Sequence, residues 1–226
     1  MEGARVPTED APERLPRGPH RLAREVVLAS QRGRMLDAMA QSVAEKGYAA
    51  TTVADVVGRA GVSRKTFYEH FRDKEDCFLE AWDAGVQILL DAVAQATTAV
   101  DDWRDGVRAG TRAYLETLAA EPAFARTFMI EVLAAGPVAI ERRAEVHKRF
   151  ADQIRELTAR ARDQNPELPE PPAEVFNAMV GAVHELTWER VRQGRFDELA
   201  GLEPIISYIE IALVAGHDQA QGELSR

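Results

Sequence analysis

The sequence contains one cysteine, Cys77. A single thiol cannot close an intrachain disulfide, which excludes a disulfide-stapled secreted fold. No stretch approaches the ~20 consecutive apolar residues of a membrane-spanning helix. The opening MEGARVPTEDAPERLPRGPHR also lacks the apolar core of a secretory signal. A cytoplasmic location with no membrane partner is expected. Catalytic signatures are missing as well. The five histidines, His20, His70, His147, His184 and His217, are scattered and show neither HExxH nor any paired-ligand spacing. There is no GxSxG, no phosphate-cradling glycine loop and no dinucleotide fingerprint, so neither a metal nor a cofactor is expected. Alternating β patterns and internal repeats are absent too, which leaves an all-α fold. An all-α enzyme assembled from distant residues is the enzymatic alternative, and the expectation is that the chain is not one.

What is present is charge, and it is unevenly placed. The net charge of −9 conceals a basic segment, Arg14–Arg72, with eleven Lys/Arg against five Asp/Glu. From Asp73 onward there are sixteen Lys/Arg against twenty-eight Asp/Glu. A basic N-terminal region can neutralise phosphates, while an acidic remainder stays soluble and away from them. Residues 1–20 hold four prolines and few apolar groups, and are expected to form a disordered charged arm. Arg14, Arg17, Arg21 and Arg24 either follow a DNA backbone or belong to an untethered terminus; both readings stand.

Capping chemistry is densest between Tyr48 and Phe71. Thr52 reads as the N-cap of a helix carrying Val53, Val56, Val57 and Ala60 at helical spacing. Gly61 ends that helix, and Ser63 caps a second one a few residues later. Two short helices joined so tightly form a helix-turn-helix, whose second helix enters the DNA major groove by its N-terminal residues. On that second helix Arg64, Lys65, Tyr68 and Glu69 share one arc, while Phe67 turns inward and Phe71 packs beyond the end. The candidate DNA contacts are Thr52, Ser63, Arg64, Lys65, Thr66, Tyr68 and His70, with Lys74 in the first turn of the next helix. A preceding helix from near Ala23 to Lys46 offers Met35, Leu36, Met39, Ala40 and Val43 as the stripe against which this pair packs.

The run AEKGY, then TTVADVVGRAGVSRKTFYEHF, then DKEDCFL resembles the TetR family of bacterial transcriptional regulators. The match covers about Arg34 to Leu79. That resemblance implies a three-helix DNA-binding head over residues 21–72 and a helical ligand-binding and dimerisation body over 73–226. It further implies a homodimer on palindromic double-stranded DNA, most simply a repressor, released by a small-molecule effector. A ligand-independent architectural DNA binder is the alternative.

The body reads as helices near 73–99, 103–119, 122–133, 138–162, 173–193 and 202–216, with DQNPELPEPP as a loop. Trp82, Val86, Trp103, Tyr114, Phe128, Met129, Phe150, Phe176 and Met179 are candidate lining for a pocket suited to an apolar or aromatic molecule, with His147 or His184 available to orient a polar group. The last two helices carry wide apolar stripes. Val180, Val183, Ile205, Ile209 and Leu213 are the candidate dimer contacts there.

Overall fold

The computed structural model describes residues 31–225, and among these the chain is all-α with no strand. The expected arm, its arginines and the helix start near Ala23 lie outside the described residues. Helix α1 covers Gln31–Lys46 and buries Met35, Leu36, Met39 and Val43; Ala40 is half-buried. Helices α2 (Val53–Ala60) and α3 (Arg64–His70) follow and complete a three-helix head.

Local chemistry fixes the two short helices. Thr52 and Asp55 form a reciprocal capping box: the Asp55 amide donates to Thr52 Oγ1 at 3.3 Å, and the Thr52 amide donates to Asp55 Oδ2 at 2.8 Å. Lys46 reaches Asp55 at 2.7 Å, and this bond, helped by Thr52, holds the carboxyl far below its usual range. Gly61 stops α2 in the left-handed conformation, φ 66°, where a Cβ would be strained. Phe67 and Phe71 are then buried beneath α3.

Helix α4 (Lys74–Thr98) leaves the head and forms one wall of the body. The body continues with α5 (Trp103–Ala120), α6 (Pro122–Met129), a 3₁₀ turn at Glu131–Ala134, α7 (Pro137–Gln164) and α8 (Ala173–Arg192). A second 3₁₀ segment, Phe196–Leu202, runs into α9 (Glu203–Ala215), and a short α10 (His217–Ala220) and a last turn, Gln221–Ser225, fold back. Proline opens α6, α7 and α9 within the first turn, where its missing N–H costs nothing. These 3₁₀ segments and the returning end have no periodicity that the sequence displays. Ile140, in the first turn of α7, is 51% exposed.

One core runs without interruption from the head into the body, through Met39, Val56, Phe67, Phe78, Trp82, Leu115, Leu118 and Met129. A second cluster at the far end gathers Trp103, Val107, Phe176, Met179, Ile211, Val214 and Ala220. Close approach of α4 and α6 depends on Gly85, whose imagined Cβ would sit 2.3 Å from the Phe124 ring. The returning end is fastened by Arg108, which donates through Nε to Glu223 at 2.7 Å.

Candidate nucleic-acid interface and ligand cavity

Helix α3 presents its first turn to solvent. Arg64, Lys65, Tyr68, Glu69 and His70 are exposed, Tyr68 to 56%. A large aromatic left in water beside two cations is what a DNA-facing surface supplies. Lys65 lies 3.9 Å from Glu69, a pairing loose enough to exchange for a base or phosphate. The cap hydroxyls are already engaged. Ser63 Oγ accepts from the Thr66 amide at 3.0 Å and shares a 2.9 Å bond with Thr66 Oγ1, while Thr52 Oγ1 donates to Asp55. Lys74 also has structural work: its Nζ donates to the Tyr48 carbonyl at 2.9 Å and lies 4.1 Å from the Tyr48 ring centre. It is half-buried between head and body, not extended toward a phosphate.

The amide of the same residue, Tyr48, donates to Glu131 Oε2 at 2.9 Å. Gly47 makes room, since a Cβ there would stand 3.3 Å from the same oxygen. The residues Gly47 and Tyr48, which lead from α1 into the helix-turn-helix, are thus pinned by the body from two sides. Trp82 donates through Nε1 to the Phe128 carbonyl at 3.4 Å and stacks on the Phe128 ring, tying α4 to α6.

Within the body is a cavity that opens to solvent. Val93 and Thr97 line it from α4; Trp103, Val107, Thr111 and Tyr114 from α5; Phe128 from α6. From α7 come His147, Phe150, Gln153, Ile154, Leu157 and Thr158, and from α8 Val180, Val183 and His184. Ile206, Glu210 and Val214 close it from α9. Between His147 and Thr158 it follows α7 for about 16 Å at 1.5 Å per residue, so it is long and mainly apolar.

Of the sequence-stated lining residues, Trp103, Tyr114, Phe128 and Phe150 are brought together here. Trp82, Val86, Met129, Phe176 and Met179 are not; each is buried in the packed core, because the faces that carry them meet neighbouring helices rather than the void. Val180 and Val183, expected between subunits, line the cavity instead, which places them on the inner side of α8. Ile205 and Ile209 are half-buried, and Leu213 is 47% exposed.

The polar lining includes both histidines named from the sequence and adds Thr111, Gln153 and Glu210, which were not. At one end stand His147 and His184, rings 5.3 Å apart, with Arg143 Nη2 3.2 Å from His184 Nε2. Burial, reinforced by the Arg143 charge, lowers both histidines to about 4, so both are neutral near pH 7. Arg143 is itself half-buried and pulled down by desolvation. Its one hydrogen-bond partner among the described residues is that imidazole, with no carboxylate beside it. Deeper in, Thr111 Oγ1 donates to Glu210 Oε2 at 3.2 Å. Burial pushes Glu210 up to about 7 against the opposing pull of Thr111. The residue retains some accessible surface, as expected of a group facing a void. No group of three or more His, Cys, Asp or Glu able to hold a metal occurs among the described residues. No described helix is long and apolar enough to cross a membrane.

Comparison with known proteins agrees with this geometry. Residues 35–81 match the model for bacterial regulatory proteins of the tetR family. The HTH-type transcriptional activator FasR of Mycolicibacterium smegmatis is 30% identical over 104 residues, 46% of this chain and 48% of that protein. The match therefore spans about half the length of that relative. Among solved structures, the fatty acid degradation regulator FadR of Bacillus halodurans superposes with a TM-score of 0.72 at 20% identity, covering 81% of this chain and 94% of its own. FadR of Bacillus subtilis, solved in complex with stearoyl-CoA, superposes with a TM-score of 0.71 at 16% identity, covering 81% and 97%.

Proposed function

We propose that the chain, whose residues 35–81 match the head of the bacterial TetR regulators, is a TetR-family transcriptional regulator controlled by an acyl thioester. The observation that carries this reading is the long, mainly apolar cavity, in a body whose fold is shared with a FadR that holds stearoyl-CoA. The acyl chain lies among Val107, Phe150, Ile154 and Leu157, and the anionic head group meets Arg143, which sits behind the lining residue His184 and has guanidinium donors to spare. Neutral His147 and His184 accept or donate beside it without adding charge.

The protein acts as a cytoplasmic homodimer on a palindromic operator, read by Arg64, Lys65 and Tyr68 of each α3. Gly181 supports a second chain on the outer side of α8. It costs roughly 1 kcal/mol relative to alanine in a helix interior, yet nothing in its own subunit lies within 4 Å of where a Cβ would be. A neighbouring backbone packed against that face gives the glycine its reason, with Ala178, Ile209 and Leu213 as companions.

Ligand and DNA communicate over a short path. Phe128 lines the cavity, its carbonyl holds Trp82, and Glu131 one turn on holds Tyr48 at the head. An acyl chain that binds one arrangement of α6 more tightly shifts the head, and only that difference in affinity can do so. Release makes the protein a repressor wherever the operator overlaps a promoter. Fluorescence anisotropy with a selected palindrome tests the reading. Stearoyl-CoA should lower operator affinity while free CoA should not; equal affinity with and without stearoyl-CoA overturns it.

A further inference from the structure

Two polar groups inside the cavity have no role in holding a plain hydrocarbon. Glu210 sits in the apolar run IISYIEIALVA, between Ile209 and Ile211, and Thr111 is its one hydrogen-bond partner among the described residues. Gln153 reaches in from α7. Its Nε2 donates to the Leu90 carbonyl at 3.1 Å, but its Oε1 is buried with no donor to meet it. A saturated chain filling the void would expel water from the free carboxyl oxygen of Glu210 and offer nothing to the already unmet amide oxygen of Gln153, which is a penalty on binding.

We propose that the effector carries a hydroxyl on its chain and that Glu210, Thr111 and Gln153 read it. A hydroxyl supplies one donor and two acceptor positions. It can donate to Gln153 Oε1 or to the carboxylate, and accept from Glu210 when that carboxyl is protonated. This matches a site holding both an unmet acceptor and an acid that is half protonated near neutral pH. A ligand ammonium is the competing chemistry for a buried carboxyl. It is disfavoured because the other residues lining the cavity are apolar or uncharged near pH 7, so an ammonium would find one charged partner and lose the rest of its hydration. The proposal rests on the acyl-thioester reading and specifies its substituent.

Calorimetric titration of the full-length protein separates the two. The probes are stearoyl-CoA, hydroxystearoyl-CoA isomers with the hydroxyl at successive positions along the chain, and an aminoacyl analogue of the best isomer. At least one hydroxylated isomer should bind about tenfold or more tighter than stearoyl-CoA, as a pocket built to hydrogen-bond a hydroxyl discriminates against its absence. Glu210→Leu should remove that preference and tighten stearoyl-CoA; Glu210→Gln should keep part of it. Gln153→Leu, at a different helix, should also reduce it, so a misfolded Glu210 variant does not decide the matter. Stearoyl-CoA binding as tightly as every hydroxylated isomer overturns the hydroxyl proposal and leaves the acyl reading intact, and tighter binding of the aminoacyl analogue overturns it in favour of an amine. If no acyl thioester binds at all, the acyl reading fails and this proposal fails with it.

Discussion

Replacing Glu131 tests how the cavity speaks to the head. Its carboxylate accepts one hydrogen bond from the Tyr48 amide at 2.9 Å, part-buried at the joint between α1 and the body. A hydrogen bond to a charged group contributes about 1.5–3 kcal/mol, and partial exposure places this one near 1.5 because water can replace the lost acceptor. Any ligand-induced strain transmitted through this bond is limited by that energy, so the bond can carry at most about a tenfold change in operator affinity. In Glu131→Ala the operator affinity without ligand should change by about threefold or less, since α3 is not touched. The ratio of affinities with and without stearoyl-CoA should shrink by up to that tenfold. Glu131→Gln keeps an acceptor and should lie between the two. Anisotropy titrations at fixed salt give both affinities for each variant. An unchanged ratio in Glu131→Ala, in a protein that still binds DNA and ligand, would refute transmission through this contact and leave the tilt of α4 as the route.

Arg64→Ala or Lys65→Ala should weaken specific operator binding by about 1–3 kcal/mol where the lost contact is a bidentate one to guanine, and Tyr68→Phe should cost less; titration against specific and random duplexes checks both. Gly181→Leu together with Leu213→Asp should yield monomers by light scattering, whereas a persistent dimer would move the interface off the outer side of α8 and α9. For pH, His147 and His184 titrate at about 4 when folded against 6.5 unfolded, so the unfolded chain binds more protons between those values. Their contribution is complete above about pH 6.5 and is lost as pH falls toward 4. Glu210, raised from 4.5 to about 7, works the other way: its burial favours folding least above pH 7, and relief comes on acidification. Glu210→Gln should therefore show a steeper loss of denaturant stability between pH 6.5 and 4.5 than the parent. Cys77 is buried, and burial, aided by Asp76, pushes its thiol up to about 12, so a thiol reagent should react with it only after unfolding.

The head was legible because its determinants are local. Thr52, Asp55, Gly61 and Ser63 cap helices within a few residues of themselves, and Phe67 can face only one way on a seven-residue helix. The body was legible as helices and loops for the same reason, but its cavity was not. An apolar stripe shows which side of a helix avoids water; it does not show whether that side meets another helix or a void. Trp82 and Met179 thus read like Phe128 and Phe150, although the first two are packed solid and the others line open space. Val180 and Val183, expected between subunits, line the cavity and show the same ambiguity of an apolar stripe. Glu210 did leave a trace. It is a lone acid in the middle of an otherwise apolar helix, a conflict that is resolved only by a special environment. Gln153 and Thr111 left none, because a single polar residue on an amphipathic helix is ordinary.

The cavity draws lining from α4 through α9, and the head shares its core with α4, α5 and α6. During synthesis at about 5–20 residues per second, the stretch from Arg72 to Glu203 takes on the order of ten seconds. Early in that interval Met39, Val56 and Phe67 lack Leu115, Leu118 and Met129, the partners that complete their core. A newly made chain therefore passes through a stage in which its first helices are only partly supported, and the cavity closes only when α9 seats Ile206 and Glu210. Translational pauses after α4 would lengthen that stage, and faster elongation would shorten it.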